Sequence, residues 1–271
     1  MEPTALDPAA PFDELSTPRR VERDLFVASV PDGWQQGRGA FGGLVIALMV
    51  RAAEATVPAG GRTLRSLTAE LCGPTVPGPV EVRVETLRET KNVTTVAVRL
   101  AQAGVVQAHS VCVLGSARAT AGDRAWLDAP QLPPWREVQP MGEMPLAPAF
   151  SRFFEYRIST PLPAAGAAEP RAEGWIRPRR PGGKRDAAFL VACADAWFPS
   201  FFACEPPRPV GTISFTFDVA GSLDGLDPTV PLAYRARTLS VREGWAVEHR
   251  ELWTENGLLL ALNHQTFVII R

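Results

Sequence analysis

The sequence predicts an α+β fold in which the two halves of the chain repeat the same order of elements. Each half contains a helix candidate that is apolar on nearly all sides, at residues 41–57 and 187–202. Segments with alternating apolar and polar residues follow each helix, as expected for half-buried strands. Because a helix without a polar face has to be enclosed, we expect a curved antiparallel sheet to wrap each one. A repeat of half the chain indicates a duplicated domain, since solenoid repeats are only about 20–50 residues long.

The order of the elements is the same in both halves. In each, a strand and a glycine-rich loop precede the helix, and alternating strands follow it. Residues 255–257, Glu-Asn-Gly, form a hairpin turn before the last strand. Strands are predicted at 21–30, 80–89, 92–104 and 105–115 in the first half, and at 153–160, 173–180, 211–220, 231–240, 245–254 and 258–270 in the second.

Composition predicts where the halves join. Residues 119–152 are rich in proline and lack periodicity, so they are predicted to link a first domain at 1–118 to a second at 153–271. The chain has 271 residues, which is enough for two cores of about 130 residues each.

Charge and motifs exclude several classes of function. A net charge of −1 gives no general attraction for nucleic acid or an anionic membrane. The uncharged runs are shorter than the roughly 20 residues that cross a bilayer, and the acidic, proline-rich N-terminus argues against a secretory signal. The sequence contains no phosphate-binding loop, dinucleotide motif, serine-hydrolase elbow or zinc spacing. We therefore expect a cytoplasmic protein that requires no cofactor and no metal.

Asp195 is the most informative candidate for a catalytic residue because it interrupts the apolar helix of the second half. Burial would raise the proton affinity of its carboxyl group, which suits a general base. The alternative is a partly exposed residue near the end of the helix, since Pro199 follows closely. Overlaying the halves places Ser66 against Thr212 and His109-Ser110 against His264-Gln265. Because neighbours on a strand face opposite sides, His264 and Gln265 cannot both face one cavity.

These motifs, in this order, resemble the acyl-CoA thioesterase II family, whose members are double-hotdog proteins. The resemblance rests on FGGLVIALMVRAA at 41–53, on the helix aspartate followed by a strand beginning with Thr212, and on ELWTENGLLLALNHQ at 251–265. It implies that Asp195, Thr212 and Gln265 activate a water molecule that hydrolyses a fatty acyl-CoA. Leu44 follows the glycine pair where the family often has glutamine, and Ser214-Phe215 replace an Asp-His motif of some relatives.

The loop before the second helix is basic and includes Arg177, Arg179, Arg180, Lys184 and Arg185. Arginine side chains there would suit the phosphate groups of coenzyme A. The alternative is an exposed, solvated loop. Trp197 is a candidate for the wall of an acyl channel, although core packing explains an aromatic residue equally well.

The leading hypothesis is a thioesterase that acts on acyl-CoA or acyl-carrier thioesters, with one site per chain in the second half. One alternative is a double hotdog that binds acyl ligands without catalysis, or a pathway-specific enzyme for a polyketide-like thioester. Another is a hotdog hydratase, which would need a histidine beside the acid. Exposed sheet edges also predict a homo-oligomer.

Overall fold

The computed structural model describes residues 7–58, 61–119, 122–142 and 147–270. Its helices are α1 (Phe12–Leu15), α2 (Gly42–Glu54) and α3 (Ala187–Ala196), with 3-10 turns η1 (Ala149–Phe153) and η2 (Ser200–Ala203). The strands of the first half are β1 (Arg19–Arg20), β2 (Leu25–Val30), β3 (Gln35–Gln36), β4 (Gly39–Ala40), β5 (Thr63–Leu71), β6 (Gly78–Glu89), β7 (Val93–Gln102) and β8 (Val105–Gly115). Those of the second are β9 (Phe154–Ile158), β10 (Arg171–Pro178), β11 (Val210–Val219), β12 (Leu232–Arg242), β13 (Trp245–Trp253) and β14 (Leu259–Ile269).

Twelve of the described strands form one antiparallel sheet in the order β1-β2-β6-β7-β8-β5-β11-β14-β13-β12-β10-β9. Counted outward from the middle, the first half has the order β5-β8-β7-β6-β2-β1 and the second half has the order β11-β14-β13-β12-β10-β9. Each strand of one half thus has a counterpart at the same place in the other. The halves meet where β5 pairs with β11, and Thr68 lies opposite Thr216 at the centre of this seam. The duplication predicted from the sequence is therefore present as a near two-fold repeat, and the α+β class is confirmed.

The two long helices pack against each other inside the sheet and run in opposite directions. In α2 every residue from Gly42 to Ala53 is buried, and in α3 every residue is buried. A side chain at Gly43 would place its Cβ 3.1 Å from the Cα of Ala192, so glycine allows the helices to approach closely. The start of α2 thereby meets the end of α3.

The second helix is shorter than the predicted 187–202. It ends at Ala196, and Trp197 has an extended backbone with ψ of 147°. Proline at 199 disfavours a helical conformation at the residue before it, and the chain resumes only as the short turn η2. Apolar composition continued past the helix because these residues remain in the core, and this is why composition alone overestimated its length.

Residues 129–138 of the predicted linker pack on the face of the second-half sheet that is turned away from α3. Trp175 and Trp253 lie on that face with Leu132 and Trp135 of the linker. The indole N–H of Trp175 donates to the carbonyl of Pro133 at 3.0 Å. Among the described residues, no helix is long and apolar enough to cross a membrane.

Arg51 ties the end of α2 to the start of α3. Its Nε donates to Oδ2 of Asp186 at 3.0 Å and its Nη2 to Oδ1 at 3.2 Å. Asp186 is also the N-cap of α3, since its side chain accepts from the backbone N–H of Phe189. Nη1 of Arg51 donates to the hydroxyls of Ser16 and Thr17 at 2.8 and 2.9 Å. One guanidinium therefore joins both helices and the N-terminal segment.

Replacing Arg51 by methionine is expected to lower the free energy of unfolding by about 2–3 kcal/mol, because it leaves Asp186 without its cation and several buried oxygens without a donor. Denaturant unfolding followed by circular dichroism measures the change. The matched control is Arg99→Met, which removes an exposed pair with Glu85 at 3.6 Å and should cost about 0.5 kcal/mol or less. Equal losses in the two variants would contradict the role given to Arg51.

Candidate active site

Asp195 lies in the last turn of α3, with its carboxylate against the first turn of α2. It is 8% exposed. A side chain added at Gly42 would place its Cβ 3.0 Å from Oδ2 of Asp195, so the carboxylate lies directly against the backbone there. The carboxylate accepts hydrogen bonds from the backbone N–H of Gly43 and from the side chain of Gln265. The first N–H groups of a helix have no partner within it and carry partial positive charge, so this contact suits an anion.

The structure brings Thr212 and Gln265 to the same place. Thr212 is the third residue of β11, and Gln265 lies on the neighbouring β14 with no exposed surface. A bulge at residue 213 shifts the register between these strands. The hydroxyl of Thr212 donates to Oε1 of Gln265 at 3.4 Å, while the amide of Gln265 reaches Asp195. The three residues named from the sequence therefore form one hydrogen-bonded group.

Asn263 belongs to this group and was not named from the sequence. Its Oδ1 accepts from Nε2 of Gln265 at 2.8 Å, and its own Nδ2 donates to the carbonyl of Thr216 at 2.7 Å. Asn263 thus fixes the orientation of the Gln265 amide. Two amides spaced two residues apart on an apolar strand face the same side, and this pattern was the available signal.

The pKa of Asp195 is raised above its ordinary value near 3.8. Burial is the largest cause, since the charged form loses its hydration. The positive charge of Arg250 and the hydrogen bonds from Gly43 and Gln265 oppose the shift without cancelling it. A carboxylate with a raised pKa accepts a proton more readily than an ordinary aspartate and can return it, which is what a general base requires.

The positions of two β-bulges show that the alignment of the two halves predicted from the sequence was wrong. A matching irregularity lies between Leu64 and Ser66 where β5 pairs with β8. Superimposing it on the bulge between Thr212 and Ser214 makes Leu64 the counterpart of Thr212, and Cys112 the counterpart of Gln265. The overlay read from the sequence, which used Ser66 and Ser110, was therefore displaced by two residues. An extra residue in a bulge cannot be seen in a period-two pattern.

Glu54, the acidic residue at the end of α2 in the first half, has a different set of contacts from Asp195. Burial raises the pKa of Glu54, and the backbone N–H of Leu64 partly opposes this by donating to its carboxylate. That bond joins Leu64 N to Glu54 Oε1 at 2.9 Å. Neither a hydroxyl nor an amide lies at the counterparts of Thr212 and Gln265. The groups that surround Asp195 are thus not repeated in the first half.

The basic residues of the loop before α3 occupy different environments. Arg179 and Arg180 are exposed and line a cavity of about 140 Å³ together with Arg152, Phe153 and Trp34. The carbonyl of Trp34 accepts from the N–H of Phe41, the residue before α2, at 2.7 Å. This cavity, called the arginine groove below, therefore adjoins the segment that leads to the first turn of α2.

The other basic residues are placed differently. Arg177 pairs with Glu155 at 2.9 Å, and Lys184 is exposed. Arg185 is only 8% exposed and lies over the ring of Phe189, with its Nε and Nη2 lacking a hydrogen-bond partner among the described residues. It precedes α3 and is about 15 Å along the helix from Asp195, at about 1.5 Å per residue.

Trp197 directly follows the helix and is 2% exposed. Its indole stacks on Tyr234 with ring centroids 4.6 Å apart, and Tyr156 meets it edge-on.

His264 lies on the opposite face of β14 from Gln265, where its ring centroid is 4.7 Å from that of His249. Burial and the neighbouring His249 lower the pKa of His264. The histidine is therefore on the wrong side of the sheet for hydratase chemistry beside Asp195.

Two family models match the chain. The acyl-CoA thioesterase N-terminal domain matches residues 30–120, and the acyl-CoA thioesterase C-terminal domain matches residues 125–269. No functionally curated protein matches the sequence.

Solved structures share the fold over nearly the whole chain. A hot dog fold protein of unknown function from Alicyclobacillus acidocaldarius is 22% identical, with a TM-score of 0.86 over 96% of this chain and 98% of its own. An acyl-CoA thioesterase II from Mycobacterium marinum is 19% identical, with a TM-score of 0.74 over 96% and 98%. The tesB protein of Mycobacterium avium subspecies paratuberculosis is 18% identical, with a TM-score of 0.75 over the same shares. The double-hotdog fold is thereby confirmed.

Replacing Asp195 by asparagine is expected to stabilise the protein at neutral pH. A carboxyl group with a raised folded-state pKa favours the folded state when protonated, and this advantage is lost as pH rises through that pKa. The variant should therefore exceed the wild type by about 1–2 kcal/mol at pH 8 and lose its advantage below about pH 4. Urea unfolding at several pH values measures this. Asp224→Asn, at an exposed position, is the control, and a pH-independent difference at Asp195 would contradict the assignment.

Proposed function

The chain belongs to the acyl-CoA thioesterase family of thioester hydrolases, and from this premise we propose that it hydrolyses acyl-CoA or acyl-carrier thioesters with a water molecule held by Asp195, Thr212 and Gln265. The observation that carries the proposal is the meeting of these three side chains at the junction of the two helices. A base, a hydroxyl and an amide there can orient the water oxygen toward a thioester carbonyl.

The reaction uses the raised proton affinity of Asp195. Its carboxylate takes a proton from the water as the oxygen attacks the carbonyl carbon, which gives a tetrahedral intermediate. The intermediate collapses by breaking the carbon–sulfur bond, and the proton held by Asp195 neutralises the departing thiolate. The products are a carboxylic acid and a free thiol. The enzyme returns to its starting state without a covalent intermediate on the protein.

The first turn of α2 is the best source of stabilisation for the oxyanion that develops on the carbonyl oxygen. Its N–H groups lie beside Asp195, and the helix dipole adds partial positive charge at that end. Gly42 and Gly43 leave room for a substrate to approach because they have no side chains. The first half thus contributes a helix terminus to a site whose side chains come from the second half.

The arginine groove is the proposed site for the phosphate groups of coenzyme A. Arg179 and Arg180, both named from the sequence, are exposed there, and Arg152 adds a third guanidinium. Guanidinium groups recognise phosphate through paired hydrogen bonds. Lys184 is not part of the groove, and burial of Arg185 separates its charge from the surface. We propose Trp197 as part of the acyl channel wall because this aromatic residue follows Asp195 by two residues, directly after α3. The predicted homo-oligomer and cytoplasmic location stay predictions.

Asp195→Asn is expected to reduce thiol release by at least about 10²-fold, since general-base catalysis is worth about 10²–10⁴-fold. Thr212→Ala and Gln265→Ala should reduce kcat by about 10–10²-fold through loss of water orientation. A thiol-reactive chromogenic reagent measures the rate on short, medium, long and aromatic acyl-CoAs. The control is Asp218→Asn, an exposed position on β11. Wild-type turnover by Asp195→Asn would overturn the assigned base.

Replacing both Arg179 and Arg180 by alanine is expected to raise the KM for acyl-CoA by about tenfold, which corresponds to about 1.4 kcal/mol. The KM for the matching acyl-N-acetylcysteamine thioester, which lacks phosphates, should not change. The control variant is Arg83→Ala/Arg99→Ala, with exposed arginines on the first half. If KM rises equally for both substrates, the arginine groove does not bind the phosphates.

A further inference from the structure

A buried ion pair lies beneath the end of α3. Glu248 and Arg250 are two residues apart on β13 and face inward, with exposures of 0% and 1%. The Nε of Arg250 donates to Oε1 of Glu248 at 2.7 Å. Two charges in the core are costly to desolvate, so such a pair needs complete hydrogen bonding to persist.

Glu248 uses its second oxygen to hold the segment that follows α3. Its Oε2 accepts from the backbone N–H and the hydroxyl of Ser200, both at 2.7 Å, and from the hydroxyl of Thr238 at 2.8 Å. Ser200 is the first residue of η2, and Thr238 lies on β12. The carboxylate thus joins the turn after the helix to two strands of the sheet.

Arg250 holds the helix itself. Its Nη1 donates to the backbone carbonyl of Ala194 at 2.7 Å and to that of Asp195 at 3.3 Å. These carbonyls lie at the end of α3, where the extended backbone of Trp197 supplies no helical donor. A cation is also favourable against the negative end of a helix dipole. The residue that carries the acid is therefore fixed by its own backbone.

We propose that Arg250, held in place by Glu248, is a positioning residue for the hydrolysis: it fixes the last turn of α3 so that the Asp195 carboxylate faces Gln265 and the first turn of α2, and it directs positive charge toward this carboxylate. This inference rests on the proposed function, because it assigns Arg250 a role through Asp195. Arg250 is not itself placed in contact with the substrate.

Arg250 supplies the positive charge among the groups that favour the anion of Asp195. Burial of Asp195 raises its pKa, whereas the charge of Arg250 and the hydrogen bonds from Gly43 and Gln265 lower it. Tyr156, on β9, and Tyr234, on β12, also interact with Asp195, and burial raises the pKa of both phenols so that they stay neutral. Glu248, which also lies near Tyr234, is engaged by Arg250.

The same pair also occurs on the outer face of these strands and provides a matched control. Arg235 on β12 contacts Glu251 on β13 at 2.6 Å, on the side facing the linker. The residue types are the same, but this pair joins β12 to β13 instead of lying within β13, and the sheet separates it from Asp195. The test therefore compares Arg250→Met/Glu248→Gln with Arg235→Met/Glu251→Gln. Each double variant removes both charges of its pair, so neither leaves one member of the pair without the other.

The experiment measures kcat/KM for a short acyl-CoA against pH, on full-length variants whose folding is checked by circular dichroism. Arg250→Met/Glu248→Gln should lower kcat by about 10–10²-fold with little change in KM. Its acidic limb should move to higher pH by about one unit, because the carboxylate loses a cation that lowers its pKa. Arg250→Lys keeps the charge in a different shape, so its acidic limb should stay near that of the wild type while kcat falls. The outer-face variant should match the wild type.

Three results separate failure of this inference from failure of the proposed function. A lower kcat with an unmoved acidic limb in the Arg250→Met/Glu248→Gln variant would reduce Arg250 to a structural residue and overturn the inference. An acidic limb that moves equally in Arg250→Lys would also overturn it, because charge would not be the cause. Full turnover by Asp195→Asn would instead remove the proposed base, whatever the Arg250 variants show.

Discussion

The close antiparallel contact of α2 and α3 is the constraint on which the site depends. Gly43 lets the first turn of α2 approach Ala192 of α3, and this places the free N–H groups of one helix against the carboxylate at the end of the other. At the opposite end the same contact sets Arg51 against Asp186. The start of each helix therefore lies against a carboxylate that suits its dipole, Asp195 for α2 and the N-cap Asp186 for α3. A sheet wrapped around two helices that were farther apart would bury Asp195 without a backbone donor.

The pKa of the buried Asp195 carboxyl group is set by two opposing effects, desolvation and the polar contacts around it. Burial alone would favour its neutral form, while Gly43, Gln265 and the charge of Arg250 favour its anion. The net result is a raised pKa, and a base with raised proton affinity is useful only if it is also oriented. The chain from Thr216 through Asn263 to Gln265 supplies that orientation from the sheet. The same polar contacts thus serve both the electrostatics and the geometry of Asp195.

Much of the architecture follows from the sequence because its signals are periodic. The enclosed helices, the alternating strands and the Gly257 turn all appear as expected, and Asp195, Thr212 and Gln265 meet as the family resemblance implied. The predicted end of α3 was wrong, because the segment after the helix is as apolar as the helix itself. The predicted alignment of the halves was also wrong, because a bulge does not alter the alternating pattern of a strand. The sequence also did not predict that the charged side chains of Glu248 and Arg250 on β13 point into the core. In WAVEHREL both faces of the strand carry polar residues, so alternation cannot show that Glu248 and Arg250 face the core while His249 faces out.

The two halves differ in the side chains at their helix junctions, and the group proposed to hold the water lies at only one of the two. A two-fold arrangement creates two equivalent junctions, each made from the end of one helix and the start of the other. At the first-half junction the positions of Thr212 and Gln265 are occupied by Leu64 and Cys112. Burial raises the pKa of the Cys112 thiol to about 11, so it remains a neutral, weakly polar group. The Arg51–Asp186 pair occupies the helix ends there. The first-half junction therefore stabilises the contact on which the second-half site depends.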